Sequence, residues 1–139
     1  MEPNIWGPPG WTFLHTITFQ YPESPTDLDK QKYYTFFNSL KNVLPCPTCK
    51  EHYNENFENI PIRLESREDL IEWLIDIHNE VNKKNNKRIY TYKEVYDIYN
   101  KKYDLGESKE KDYVGMCALV LLIIIICYYY YKNFYLKKN

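Results

Sequence analysis

The chain has 139 residues, 44% of them hydrophobic and 27% charged, with 18 basic and 19 acidic side chains and a formal charge of −1. These values exclude more than one ordinary domain plus a tail, full disorder, and the basic surface of a dedicated nucleic-acid binder. Four cysteines are too few for a disulfide-dense secreted scaffold, and four glycines too few for a collagen-like chain. Charge is unevenly placed. Every acidic residue precedes Tyr113, so residues 1–112 hold 15 basic against 19 acidic side chains, and three lysines follow.

Along the chain no segment shows strict apolar–polar alternation between hairpin turns, and helical spacing recurs instead. Pro8 and Pro9 predict a helix start, with Trp11, Leu14, His15 and Thr18 on one face until Tyr21-Pro22 ends it. Thr26 and Asp29 predict a capped second helix carrying Tyr33, Phe36, Phe37, Leu40 and Leu44. Pro45 breaks it, and Pro47 suits the first turn of a short third helix over about 46–57. Ser66 with Asp69 opens a fourth, carrying Leu70, Leu74, Ile77, His78 and Val81. Thr91 with Glu94 opens a fifth, carrying Tyr92, Val95, Tyr96, Tyr99 and Tyr103. Short loops between them predict an all-α antiparallel bundle over residues 1–103. Residues 104–112, DLGESKEKD, read as a charged linker, and no internal repeat is present.

Residues 113–131 carry no charge over 19 positions, YVGMCALVLLIIIICYYYY. A helix of that length spans about 28 Å, close to the ~30 Å hydrocarbon core of a bilayer. Tyrosines flank its apolar centre, as in interfacial aromatic belts, and a basic tail over 132–139 follows. The expectation is a C-terminal transmembrane helix with Cys117 and Cys127 facing lipid; a buried core helix is the bland alternative. Orientation stays open, because four lysines (101, 102, 109 and 111) precede the span and three (132, 137 and 138) follow it.

The stretch Cys46-Pro47-Thr48-Cys49 carries the clearest chemistry. Two intervening residues let the sulfurs join in a small-ring disulfide, and a helix N-terminus at Cys46 favours its thiolate, the form needed for thiol–disulfide exchange. Zinc sites use the same spacing, and His52 extends it to C-x2-C-x2-H. However, the soluble part has no second cysteine pair, and a fourth ligand would have to come from distant His15 or His78. Two inert core thiols are a third reading. A thioredoxin-like fold needs a central sheet, which this pattern lacks. His15 alone reads as a core histidine. In His78-Asn79-Glu80-Val81-Asn82, His78 and Asn82 stack four apart and Asn79 is three from Asn82. Asparagine is a poor helix former, so the segment is either a binding site or a fraying end. The basic run over 83–88 suits a phosphate group or a solvated face.

Together these pieces resemble the FAD-dependent sulfhydryl oxidases of the ERV/ALR family: Trp11-x-x-Leu14-His15, Tyr21-Pro22, the Cys46–Cys49 dithiol, and His78-Asn79-Glu80-Val81-Asn82 followed by lysines. The likeness covers about residues 6–103. The opening Trp6-Gly7-Pro8-x-x-Trp11 and the single dithiol are most like the members of large cytoplasmic double-stranded DNA viruses. The resemblance implies a four-helix bundle around FAD with a short fifth helix. It implies that Cys46 exchanges with a substrate dithiol and that Cys49 faces the flavin. Trp11, His15, Tyr21, His78, Asn79, Val81 and Asn82 would lie against the cofactor, with Gly7, Lys84 and Lys87 toward its phosphates and adenine. It further implies oxidation of partner dithiols with oxygen as acceptor, a thioredoxin-like protein substrate, a homodimer through the first helices, and a virion or viral-factory membrane as the location. Where cellular relatives carry an extra disulfide, this chain has Ile75 and Tyr92, so an apolar contact is expected there. The family's separate shuttle dithiol is missing outside the membrane segment. An arginine common before the first tryptophan is replaced within Pro8-Pro9-Gly10, which removes one expected phosphate contact. The rival classes are a non-catalytic membrane-tethered helical module and a zinc-binding module.

Overall fold

The structure, a computed structural model, describes residues 1–105 and 108–136, with side chains outside 108–116 and 134–136. Six helices follow one another: α1 (Pro3–Phe19), α2 (Asp27–Val43), α3 (Pro47–Asn59), α4 (Arg67–Lys84), α5 (Tyr92–Tyr103) and α6 (Ser108–Leu136). Among the described residues there is no strand, as the periodicity predicted. The chain divides into two compact units, Met1–Tyr96 and Asp97–Asn139.

Local sequence sets the helix ends. Thr26 and Asp29 form the reciprocal capping box that starts α2. Ser66 caps α4 by accepting the Asp69 amide, and Thr91 with Glu94 does the same for α5. At the far end of α4 the Asn86 amide bonds the Lys83 carbonyl and the Lys87 amide bonds the Asn82 carbonyl. This is a Schellman closure, and it needs a left-handed residue after the cap. Asn86, at φ 53°, supplies it without glycine. The asparagine-rich end of α4 is therefore a built stop and not a fraying one.

Inside the first unit α4 packs between α1 and α3, and α3 also packs on α2. Leu70, Ile71, Trp73, Leu74, Ile75 and Ile77 of α4 are all buried, which suits a helix covered on both sides. Trp73 is the hub. Its ring meets Phe37 and Phe57 edge-on at 5.0 and 5.8 Å, and its Nε1 donates to the Ile60 carbonyl at 2.9 Å. The polar tip of this fully buried ring is thus satisfied within the core.

Two expectations need correction. First, α1 begins at Pro3, and Pro8 and Pro9 lie inside it. Their missing N–H groups free the Asn4 and Ile5 carbonyls, which sit on an exposed first turn where water can bond them. Second, the charged stretch 104–112 is not all linker, because α6 starts at Ser108. Lysine and glutamate are good helix formers, so charge there did not imply coil. At Tyr92, where contact with Ile75 was expected, the hydroxyl makes a polar bond. It donates to Asp76 at 2.8 Å, and Arg63 pairs with the other oxygen of that carboxylate at 2.7 Å.

The second unit holds α6. Its described side chains from Leu119 to Ile126 are all exposed. Among the described residues no helix is long and apolar enough to cross a membrane. Gly106 and Glu107 of the expected linker and residues 137–139 of the basic tail lie outside the described residues, as do the side chains at 113–116 of the expected span.

Candidate active site

The dithiol is made by one helix turn. Pro45 ends the preceding chain, Pro47 takes the first position of α3, and Cys46 becomes its N-cap. The Cys46 Sγ accepts the Cys49 amide at 3.2 Å, the place a serine hydroxyl would occupy in an ordinary cap. Cys46 and Cys49 are joined as a disulfide with Cα atoms 5.1 Å apart, and both are half-buried. When that bond opens, the amide and the positive end of α3 favour a thiolate at Cys46. His52 lies one turn further along α3 and is half-buried. Among the described residues no group of three or more His, Cys, Asp and Glu is placed to hold a metal ion.

A second constellation joins α1 to α4. The rings of Trp11 and His78 stack with centroids 3.9 Å apart and planes within 7°. His15 tilts beside them, 5.4 Å from His78 and 6.3 Å from Trp11. His15 Nε2 and His78 Nδ1 are 3.1 Å apart, so one ring donates and the other accepts, which requires the accepting ring to be neutral. Burial pushes His15 down to about 3, with the neighbouring His78 adding to the effect. Burial likewise pushes His78 down to about 4, helped by the positive charge of Lys87. At neutral pH the cluster is therefore aromatic and uncharged, with the positive charge of Lys87 acting on it.

The remaining expected residues take different positions. Tyr21 is fully buried in the hydrophobic core, its hydroxyl bonded to the Leu64 carbonyl at 2.9 Å and its ring edge-on to Tyr33. Asn79 commits both ends of its amide to the loop after α4, donating to the Tyr90 carbonyl at 2.8 Å and accepting the Tyr90 amide at 3.0 Å. Asn82 is buried, and its carbonyl receives the closing Lys87 amide. Val81 is half-buried, and its carbonyl accepts from the Asn85 side chain at 2.7 Å. Lys84 pairs with Glu55 of α3 at 2.7 Å, and Lys87 is exposed. Gly7 has open space where a Cβ would stand, so no close approach explains a glycine there.

Two features escaped the motif reading. Asp76 gathers Arg63 and Tyr92 into a polar clamp between the α3–α4 loop, α4 and the first turn of α5. Asn56 is buried on α3 with its Nδ2 unpartnered among the described residues. The only sequence signal for Asn56 is its place seven residues after Cys49, on the same face of α3.

The residues present fit a flavin. Neutral stacked rings suit a planar heteroaromatic, an unspent buried donor suits its carbonyl edge, and Lys84 and Lys87 suit a pyrophosphate.

The Erv1 / Alr family model matches residues 9–103. The chain is similar to the Acanthamoeba polyphaga mimivirus protein named Probable FAD-linked sulfhydryl oxidase R368, at 45% identity over 104 residues, covering 73% of each chain. It is 36% identical to the Arabidopsis thaliana FAD-linked sulfhydryl oxidase ERV1 over 80 residues, covering 58% of this chain and 42% of that protein. Among solved structures, the yeast Erv1 core superposes with a TM-score of 0.68 at 29% identity, covering 78% of this chain and 88% of that one. The chain thus spans less than half of the plant relative.

Proposed function

The chain belongs to the Erv1 / Alr family and is a FAD-linked sulfhydryl oxidase, and we propose that it makes disulfides in partner proteins through Cys46 and Cys49, with oxygen as the final acceptor. The observation that carries the assignment of roles is the N-cap position of Cys46. A partner thiolate attacks the Cys46 sulfur, the Cys46–Cys49 bond breaks, and Cys49 leaves as a thiolate. The partner's second thiolate then attacks the mixed disulfide, and Cys46 leaves, stabilised by the Cys49 amide and the α3 dipole. The partner is now oxidised by two electrons, and both cysteines are reduced. FAD, when bound, supplies the two-electron acceptor that re-forms the Cys46–Cys49 bond and passes the electrons to oxygen as hydrogen peroxide.

Trp11 and His78 present the stacked face against which the flavin rests, and His15 fixes the tautomer of His78. Lys84 and Lys87 balance the pyrophosphate. Asn79 acts at one remove, by holding the loop that carries Lys87. Because this domain has no second dithiol, the partner docks directly at Cys46, and a small thioredoxin-like protein has the shape to do so. A second copy of the chain is proposed to pair through α1 and α2, where Ile5, Phe13, Leu28 and Tyr34 are exposed. We infer too that α6 anchors the domain in a membrane, such as that of a virion or viral factory. The supporting facts are an uncharged run of 19 residues at 113–131 and a helix whose described apolar side chains have no polar face to offer water. Oxygen uptake by the full chain in detergent, with a small dithiol as donor, tests the activity. One hydrogen peroxide should appear per disulfide formed, and dithiol oxidation without oxygen uptake would exclude the proposed acceptor.

A further inference from the structure

We propose that Asn56 is a cofactor-contacting residue, its side-chain Nδ2 donating a hydrogen bond to an acceptor on the carbonyl edge of the flavin. The proposal rests on the flavin-dependent reading above and adds a residue that no motif of the sequence marks. Asn56 is 5% exposed, and its Nδ2 has no hydrogen-bond partner among the described residues. A buried amide N–H without an acceptor is costly, and native proteins rarely keep one unless something else meets it.

Its position says what that is. Residues 49 and 56 are seven apart, so they share a face of α3 and lie about 10.5 Å apart along its axis. Three fused six-membered rings reach about that far. On the flank of α3 beside Asn56, Glu55 pairs with Lys84 of α4, so this side of α3 turns toward the helix that carries His78. On the opposite flank Phe57 sits between Tyr34 of α2 and Trp73 of α4. Tyr53, one turn before Asn56, already gives its hydroxyl to the Phe37 carbonyl of α2 at 3.0 Å.

Of the two amides expected at the cofactor, Asn79 is already engaged by the loop. Asn79 uses both its nitrogen and its oxygen on the Tyr90 backbone. An isoalloxazine carries two carbonyl oxygens and two acceptor nitrogens, which lose water on entering a bundle. Asn56 is the buried donor on the Cys49 face that is free to replace one of those waters.

The test uses the full chain in detergent, comparing the wild type with Asn56→Leu. Release of FAD is followed by the recovery of free-flavin fluorescence on dilution. The variant should hold FAD about fivefold less tightly, the loss of one ordinary hydrogen bond. Wild-type affinity in the variant would overturn the proposal. If Asn56→Leu does not fold, the wild-type holoprotein decides. Its 15N-labelled Asn56 side-chain amide should move in the NMR spectrum when a dithiol reduces the flavin, and an unmoved resonance would overturn the contact. A wild type that purifies without flavin would instead overturn the underlying reading, and this proposal with it.

Discussion

Cys46 and Cys49 share one turn of α3, whereas His15 and His78 meet across 63 residues of chain. The dithiol needs only a proline-started helix to take shape. The aromatic–imidazole cluster needs α1 and α4 to be packed, and its rings are neutral because that packing dries them. The exchange chemistry should therefore depend on single atoms at the α3 terminus, and the cofactor cluster on the stability of the bundle. Mutations at the two sites should separate these dependences.

The largest effect is expected at the dithiol. Cys46→Ser should abolish oxidation of protein dithiols while flavin absorbance and thermal stability stay near wild type, because the serine hydroxyl keeps the N-cap bond. A Cys46→Ser protein that still oxidises a protein partner would remove Cys46 from its role. At the cluster, His78→Ala should act in the opposite sense. It deletes a ring stacked on Trp11 and should cost about 2–4 kcal/mol in denaturant unfolding, with loss of bound flavin. Unchanged flavin retention would take His78 out of the site.

The next prediction concerns pH. Unfolded histidines bind protons near pH 6.5, but folded His15 and His78 resist until about 3 and 4. The unfolded state thus holds more protons between these limits, and folding stability falls as the pH drops below about 6.5. With two histidines the steepest slope is about 2.7 kcal/mol per pH unit. The carboxylates held low by hydrogen bonds, such as Glu94, act only further down the scale. Melting temperature should hold steady from pH 8 to 7 and decline from 6 to 5. A flat profile across that window would mean that the histidines are not buried as described.

What was legible in the sequence follows the same division. The capping pairs Thr26–Asp29, Ser66–Asp69 and Thr91–Glu94 and the N-cap position of Cys46 depend on neighbours within a turn, and each was readable. The stripe of Leu14, His15 and Thr18 was readable from period alone. The start of α1 was not, because proline signals a first turn yet is tolerated further in when the freed carbonyls face water. Spacing left His15 as an isolated core histidine, since nothing local announces a partner 63 residues away. The family resemblance brought it to the site. It also assigned Asn79 to the cofactor, where the loop backbone has claimed both ends of that amide. The Arg63–Asp76–Tyr92 clamp was invisible for the same reason: three elements must fold before the carboxylate has its partners.

Smaller effects sharpen the cofactor side. Asn79→Ala should release the loop that ends at Tyr90 and cost about 1–3 kcal/mol, because two backbone groups lose their partners. Hydrogen exchange at the Tyr90 amide should then rise well ahead of global unfolding. Tyr92→Phe should cost no more than about 1 kcal/mol in denaturant unfolding, one hydrogen bond to a carboxylate at a partly exposed site. A larger loss would mean that the clamp, and not core packing, holds the start of α5.

The most direct single test is a visible absorption spectrum of the full chain purified in detergent. The expected result is a flavin band near one per protein, bleached by a dithiol under nitrogen and restored by air. In Cys49→Ser the band should persist but no longer bleach. A folded protein that stays colourless after incubation with FAD would contradict the assignment of the Trp11–His15–His78 cluster to a flavin.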